Sequence, residues 1–374
     1  MFKKVMIIVL LALLGFFLCL FTFLEIPFDL KGKPKEKDLK YEYVMRDVLI
    51  DKNPKVTQIA MLGAHDAFTS EIRFSSKVNQ NEVGIVTNKA FGVLAKGLVV
   101  RMSKTQNASC EELLYSGVRY LDARVSYLDG QYYTVHAYRS NLFKTYLQDV
   151  VDFLYDHQGE FIIFDIQDFF TQNGKSFELP DEDYEALFEY IATIKNKDQK
   201  SLLDYVYYDA FSDHLEDLTY NDVTLNKSAA GVIILTKSTA SKYAFCRDGD
   251  ATDKKTYYMT IRSYWHEDNG IKNLISDINK EYNYLKENPT SGIFVVNQAI
   301  QTGFLTNAKI FRSFANWSVL EMARKLNKEL VKDEVRFKNW LSVMPIFMTD
   351  YTTSRSGNFN ELANKYILEY NQSL

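Results

Sequence analysis

Apolar and polar positions divide the 374-residue chain into two unequal regimes. Residues 5–24 form an unbroken apolar run behind Lys3 and Lys4. About twenty apolar residues suffice for a helix to cross a bilayer, so the run predicts an N-terminal transmembrane helix. No small-residue cleavage pattern follows it, which favours a signal-anchor over a cleaved signal peptide across residues 1–25. Lysines 31, 33, 35, 37 and 40 make residues 26–40 a charged tether, leaving 41–374 as one folded domain. Long following domains translocate largely regardless of their charge. The expected location is therefore membrane-anchored with the domain outside the cell, or secreted if the run is cleaved.

Beyond the tether, short runs rich in β-branched and aromatic residues recur at 59–64, 120–125, 132–135, 161–166, 232–236, 257–261, 293–297 and 345–349. Several, such as Phe161-Ile162-Ile163-Phe164, are continuously apolar, as strands buried on both faces require. Amphipathic stretches lie between them at 109–115, 142–157, 182–194, 270–287, 319–331 and 359–370. Strands alternating with helices predict an α/β fold with a parallel sheet. Eight of them suggest a TIM-like (β/α) barrel, irregular in places, with its site at the carboxyl ends of the strands.

Composition narrows the function classes. A net charge of -4 lacks the basic excess of a nucleic-acid binder. Three cysteines, Cys19, Cys110 and Cys246, are too few for a disulfide scaffold and show no zinc spacing. Cys110 and Cys246 either pair in an exported domain or stay as thiols. No obligate protein partner is implied.

The strand ends carry the chemistry. The predicted strands terminate in Gly63-Ala64-His65-Asp66, Asp122-Ala123-Arg124, Val135-His136, Asp165-Ile166-Gln167-Asp168, Thr236-Lys237, Arg262-Ser263-Tyr264, Asn297-Gln298 and Thr349-Asp350. In a barrel these converge on one mouth. Two histidines that titrate near neutrality supply a base and an acid. An arginine fork suits the non-bridging oxygens of a phosphate, and carboxylates beside imidazoles fix their tautomers. The set fits phosphodiester cleavage. Single histidines at strand ends are weak signals, and His157, His214 and His266 are left aside. Arg124 within an apolar strand needs a buried partner, and Asp122 would be the structural one.

These residues resemble a known pattern. Ala60-Met61-Leu62-Gly63-Ala64-His65-Asp66-Ala67 is similar to the I-P-G-T-H-D-S motif of the phosphatidylinositol-specific phospholipase C X domain. The block from Thr105-Gln106 to Ser116-Gly117-Val118-Arg119-Tyr120-Leu121-Asp122-Ala123-Arg124 resembles its T-Q…G-I-R-Y-F-D-I-R segment. Glu160-Phe161-Ile162-Ile163-Phe164-Asp165 resembles an E-I-I-I-L-D strand, and Asp350 closes a sequence like the last barrel strand. The resemblance implies His65 as general base held by Asp350, His136 as general acid coupled to Asp66, and Arg124 as the phosphate ligand. It places Lys237, Tyr264, Gln167 and Asp122 among the substrate-binding positions. It also implies the bacterial, metal-independent type, with no metal and no cofactor, because Arg124 stands where calcium-dependent members build a metal site. The implied activity is cleavage of a phospholipid headgroup at a membrane.

Four departures weaken the headgroup assignment. Gln167 stands for a lysine, Arg262 for an aspartate, Lys237 for an arginine and Ala137 for a glycine after the second histidine. A glycerophosphodiesterase-type enzyme and a catalytically weak lipid-binding envelope protein are the alternatives. The apolar segment around 82–102 is either a rim element that meets lipid or a packed helix and loop.

Overall fold

The computed structural model describes residues 2–23, 33–82, 96–97, 99–247, 260–268, 270–302, 318–353 and 358–374; side chains of residues 2 and 17–23 lie outside the description. Among the described residues eleven strands form one sheet: β1 (Met61–Ala64), β2 (Val118–Leu128), β3 (Gln131–His136), β4 (Tyr138–Leu142), β5 (Phe161–Thr171), β6 (Gly174–Lys175), β7 (Gly231–Thr236), β8 (Ala244–Cys246), β9 (Ile261–Tyr264), β10 (Phe294–Gln298) and β11 (Ile346–Thr349). Eight of these follow one path, β8-β7-β5-β2-β1-β11-β10-β9. Every neighbouring pair on that path is parallel.

Nine α-helices accompany them: α1 (Phe2–Phe23), α2 (Cys110–Tyr115), α3 (Phe143–Asp156), α4 (Asp181–Thr193), α5 (Tyr220–Val223), α6 (Ile271–Glu287), α7 (Val319–Leu330), α8 (Glu334–Leu341) and α9 (Phe359–Ser373), counted among the described residues. Local signals explain several starts. Ser109 and Glu112 exchange side-chain bonds to each other's backbone N–H at the head of α2, a reciprocal cap that satisfies two orphan donors. Ser318 and Asp333 accept from the backbone of α7 and α8 in the same way.

Alternation along the strands sorts the core. Met61, Phe161, Ile163, Ile233, Ile261, Phe294, Val296, Ile346 and Met348 fill the concave side. Leu62, Leu121, Ile162, Phe164, Val232, Ile234 and Phe347 point outward to the helices. Gly63 faces inward, where an added Cβ would lie 3.0 Å from the Tyr120 ring and 3.2 Å from Met348 Cβ. Above the apolar layer the inward side turns polar. Tyr120 donates to Asp165 at 2.5 Å, and Arg247 Nε lies 3.0 Å from the same carboxylate, both fully buried.

The structure corrects the sequence reading in four places. The N-terminal run is helical, but among the described residues no helix is long and apolar enough to cross a membrane, which overturns the expected transmembrane helix. Closure is the second correction. No pairing joins the edge strands β8 and β9 among the described residues, so the sheet is a parallel half-barrel of TIM-like form. A bond from Thr260 Oγ1 to the Cys246 carbonyl spans that side.

Third, the run ending at His136 is not a barrel strand. It is the antiparallel partner of β2, with Val125 opposite Thr134 and Leu128 opposite Gln131. A two-residue turn at Asp129-Gly130 links two runs that both read as buried strands, and this turn is the signal that separates a hairpin from a crossover. The eighth parallel strand is instead β8, only three residues long. Fourth, Arg262 lies within β9 and pairs with buried Glu281 of α6 at 2.6 Å, so it faces a helix rather than the mouth. Part of the expected 257–261 strand, and most of the apolar 82–102 segment, lie outside the described residues. Cys110 and Cys246 remain thiols.

Candidate active site

His65 follows the last residue of β1, and Asp350 follows the last residue of β11. These strands pair in register, Ala64 opposite Thr349, so the two side chains meet: His65 Nδ1 lies 2.7 Å from Asp350 Oδ1. Asp66 is fully buried and forms the hub. Its Oδ2 lies 3.3 Å from His65 Nε2 and 3.1 Å from His136 Nδ1, and its Oδ1 pairs with Arg124 Nε. His136 Nδ1 also reaches the Ser103 carbonyl at 2.9 Å. The imidazole centroids are 6.3 Å apart with the rings near perpendicular. Arg124 Nη2 sits 3.5 Å from His65 Nε2.

The segment 103–106 carries the frame. Ser103 holds His136 through its carbonyl. The Thr105 carbonyl accepts from the Tyr351 N–H. Gln106 Nε2 donates to the carbonyls of His65 and Thr349 at 3.2 and 2.9 Å, while its Oε1 accepts from the Thr352 N–H. One buried amide thereby clamps the ends of β1 and β11. Sequence reading contained Gln106 within a motif but assigned it no role.

Three residues beside the site side chains adopt left-handed backbone: Asp66 (φ 41), Ala137 (φ 57) and Tyr351 (φ 46). Asp66 and Ala137 follow the two histidines, and Tyr351 follows Asp350. Each such residue without glycine costs on the order of 1–2 kcal/mol, and the surrounding bonds hold it there. The glycine that the family pattern has after the second histidine thus has a conformational reason, which Ala137 overrides.

Charges are strongly coupled. Burial opposes protonation of His65, but Asp66 and then Asp350 outweigh it and bring its pKa up to about 9. Burial likewise works against the Asp66 carboxylate, yet Arg124 and the two histidines hold it below the usual carboxylate range. Burial and the charge of Asp66 push Asp122 up to about 7. Asp350 is raised by burial, with His65 pulling the other way. Arg124, desolvated but facing Asp66 and Asp122, is held even more firmly charged than usual.

The predicted substrate residues divide into three groups. Gln167 is the extra residue of a bulge where β5 shifts register against Ala123 and Arg124, and such bulges re-aim side chains near sites. It donates to both oxygens of Asp122 at 2.7 and 3.0 Å, and Asp122 in turn accepts from the Asp66 N–H. Lys237 at the end of β7 pairs with Asp168 at 3.0 Å, which Ser176 also contacts at 2.8 Å. Burial opposes the charge on Asp168, but Arg124 and Lys237 hold its pKa low. Tyr264 is half-buried on β9, three strands from β1, with its ring 5.0 Å from that of His266. His65, His136, Asp66, Arg124 and Asp350 therefore form one cluster, with Asp122 and Gln167 beneath it. Lys237 flanks it through Asp168, while Tyr264 stands on the far edge.

Arg119 and Glu160, within the quoted motifs, serve elsewhere. They are fully buried, 2.7 Å apart. Glu160 also accepts the backbone N–H groups of Val44, Met45 and Arg46. Gly117, beside Arg119, has φ +88, and an added Cβ would lie 2.3 Å from Asn364 Oδ1. One further set bears on metals: ligand atoms of His65, Asp66 and Asp122 lie within 4.8 Å of one another. The guanidinium of Arg124 already pairs with Asp66 in that space.

A parallel half-barrel with two carboxylate-linked histidines at strand ends and an arginine within β2 beside them defines an acid–base site of α/β-barrel type. The chain resembles the phosphatidylinositol-specific phospholipase C X-domain-like family in both sequence and fold. It is 31% identical over 121 residues to PI-PLC X domain-containing protein 3 of Mus musculus, covering 31% of this chain and 38% of the relative. It is 32% identical over 129 residues to the variant-surface-glycoprotein phospholipase C of Trypanosoma brucei brucei, covering 32% of this chain and 36% of the relative. The matches thus span less than half the length of these curated relatives. A phosphatidylinositol-specific phospholipase C from Staphylococcus aureus shares the fold with a TM-score of 0.57 at 15% identity, over 88% of this chain and 97% of that one. No protein-family model matches the chain.

Proposed function

We propose that the chain is a phosphoric diester hydrolase of the phosphatidylinositol phospholipase C type, acting on a phospholipid headgroup by histidine acid–base catalysis. The carrying observation is that Asp66 touches His65, His136 and Arg124 together. Proton donor, proton acceptor and phosphate ligand are thereby held around one gap. Asp350 accepts from Nδ1–H of His65 and leaves Nε2 to take the proton of the attacking hydroxyl. That oxygen bonds to phosphorus while the guanidinium of Arg124 neutralises the non-bridging oxygens. The bond to the lipid alkoxide breaks, and His136 Nε2 returns a proton to it, its Nδ1 being engaged by Asp66 and Ser103. Attack by a neighbouring headgroup hydroxyl yields a cyclic phosphodiester and diacylglycerol. The PI-PLC names of the X domain-containing relatives favour an inositol lipid as the first substrate. Lys237 and Tyr264 would contact the headgroup, with Gln167 acting through Asp122.

The grouping of His65, Asp66 and Asp122 favours a second reading, a metal-dependent phosphodiesterase. Arg124 competes for that position, which supports the metal-free mechanism. The test is turnover of phosphatidylinositol vesicles and of soluble glycerophosphodiesters, each with and without EDTA. We expect lipid cleavage that survives chelation and is lost in His65→Ala and in His136→Ala. Activity abolished by EDTA and restored by a divalent cation would overturn the metal-free reading. Turnover of only the soluble diesters would overturn the lipid assignment.

A further inference from the structure

The turn that carries His136 is fastened from outside the residues named so far. Glu82 Oε2 accepts the Ala137 N–H at 2.8 Å, and the Ala137 carbonyl accepts from the Asn79 N–H at 2.9 Å. Both backbone groups of the left-handed residue after His136 are thus held by one short segment. Val78 bridges antiparallel to Tyr138, and the Arg139 N–H donates to the Lys77 carbonyl at 2.8 Å. The same segment grips β2. Ser126 Oγ donates to Asn79 Oδ1 at 3.1 Å, and Asn81 Nδ2 donates to the Tyr127 carbonyl at 3.0 Å. Ser126 lies two residues beyond Arg124, on the same face of its strand. Asn79 and Ser126 are fully buried.

We propose that Glu82, with Asn79, is a positioning residue for the general acid: it locks Ala137 in its left-handed conformation and so sets His136 relative to Arg124. The proposal rests on the phosphodiesterase reading above and adds a residue to it. An isolated alanine does not hold φ 57 unaided, because its Cβ crowds the following carbonyl. The two bonds to Ala137 and the grip on Ser126, together with the bridges to Tyr138 and Arg139, make that turn a fixed platform. A carboxylate is the acceptor, so the bond to the Ala137 N–H is charge-assisted and stronger than a neutral one. The negative charge of Glu82 is also felt at Arg124, which ties the clasp to both halves of the site. Glu82 bonds to the turn of His136 through the Ala137 backbone and acts on Arg124 by charge alone.

The leaving group tests this. An alkoxide leaves only with a proton from the acid, whereas p-nitrophenolate leaves without one. Full-length Glu82→Ala and Glu82→Gln are compared with the native chain on two phosphodiesters of one headgroup, one with a diacylglycerol and one with a p-nitrophenyl leaving group. For Glu82→Ala we expect kcat on the lipid to fall about 10²-fold with KM little changed, as displacement of a catalytic group by about an ångström does. On the nitrophenyl ester the loss should stay below about 5-fold, because the acid is not needed there. Glu82→Gln keeps an oxygen that accepts the Ala137 N–H and should recover most of the lipid rate. Equal losses on both substrates, or no recovery in Glu82→Gln, would overturn the positioning role. If the native chain cleaves neither ester, the phosphodiesterase reading fails. The clasp is then judged by heteronuclear NMR of the His136 ring: broadening in Glu82→Ala but not in Glu82→Gln supports it, and an unchanged ring in both overturns it.

Discussion

His65 and Asp350 are 285 positions apart in sequence and 2.7 Å apart in space. The parallel pairing of β1 with β11 brings them together, and burial of the carboxylate makes their contact electrostatically strong. Asp350→Asn removes the charge and leaves an amide that can turn its NH2 as well as its oxygen toward Nδ1, so it should release the tautomer of His65 and lower kcat by about 10²–10⁴-fold, the usual worth of general acid–base catalysis. Steady-state rates on phosphatidylinositol vesicles check this, with circular dichroism confirming the fold.

The same contact sets a pH dependence. A general base works unprotonated, and His65 is held at about 9 against the cost of burial by Asp66 and Asp350. The ascending limb of kcat/KM should therefore extend well above neutrality, toward pH 9. Removing the negative charge in Asp350→Asn should move that limb to lower pH. Stability follows the opposite course. The charged histidine contributes fully below its unfolded pKa of about 6.5 and loses that contribution as pH rises through about 9. Thermal melts across this range give the second measurement.

Arg124→Lys keeps the charge but loses the planar fork. It should lower kcat by about 10²-fold or more, the cost of losing a preorganised donor to a developing oxyanion. An unchanged rate would show that only net charge matters at this position.

Glu160→Ala should be among the most destabilising single changes in the chain. It strands the fully buried guanidinium of Arg119 and frees three backbone N–H groups. Breaking a buried pair costs about 3–5 kcal/mol, measurable by urea denaturation. The loss should appear in stability rather than in the pH profile, because the pair lies at the amino ends of β2 and β5, away from the site.

Ala137→Gly should act in the other direction. Glycine takes φ 57 without strain, so relief of about 1–2 kcal/mol exceeds the ~0.4–1 kcal/mol of added freedom in the unfolded chain. A net gain of roughly 0.5–1 kcal/mol is expected in denaturant melts, with activity retained because the clasp from Asn79 and Glu82 persists.

The sequence by itself determined the α/β class and seven of the eight parallel strand positions to within a few residues, and it picked out His65, Asp66, Arg124, His136 and Asp350, which the structure gathers into one cluster. Inward and outward side chains alternate along buried strands, so His65 and Asp350 stood out as chemistry where apolar runs end, and Arg124 as a charge inside one. What sequence could not carry was partnership. The run ending at His136 has the composition of a barrel strand, but only pairing with β2 makes it a hairpin arm that swings the histidine over Asp66. Strand β8 was hidden because three residues carry no period. Arg262 looked like a mouth residue until Glu281, on the next helix, claimed it. The motif residues Arg119 and Glu160 divided from Arg124 and Asp66 only in three dimensions, since a structural ion pair and one at a site use the same residue types. Asp66 as hub, Gln106 as clamp and Glu82 as clasp are likewise tertiary facts: each acts by a bond to a distant backbone or side chain, and no local pattern of apolar and polar positions encodes which distant group will arrive.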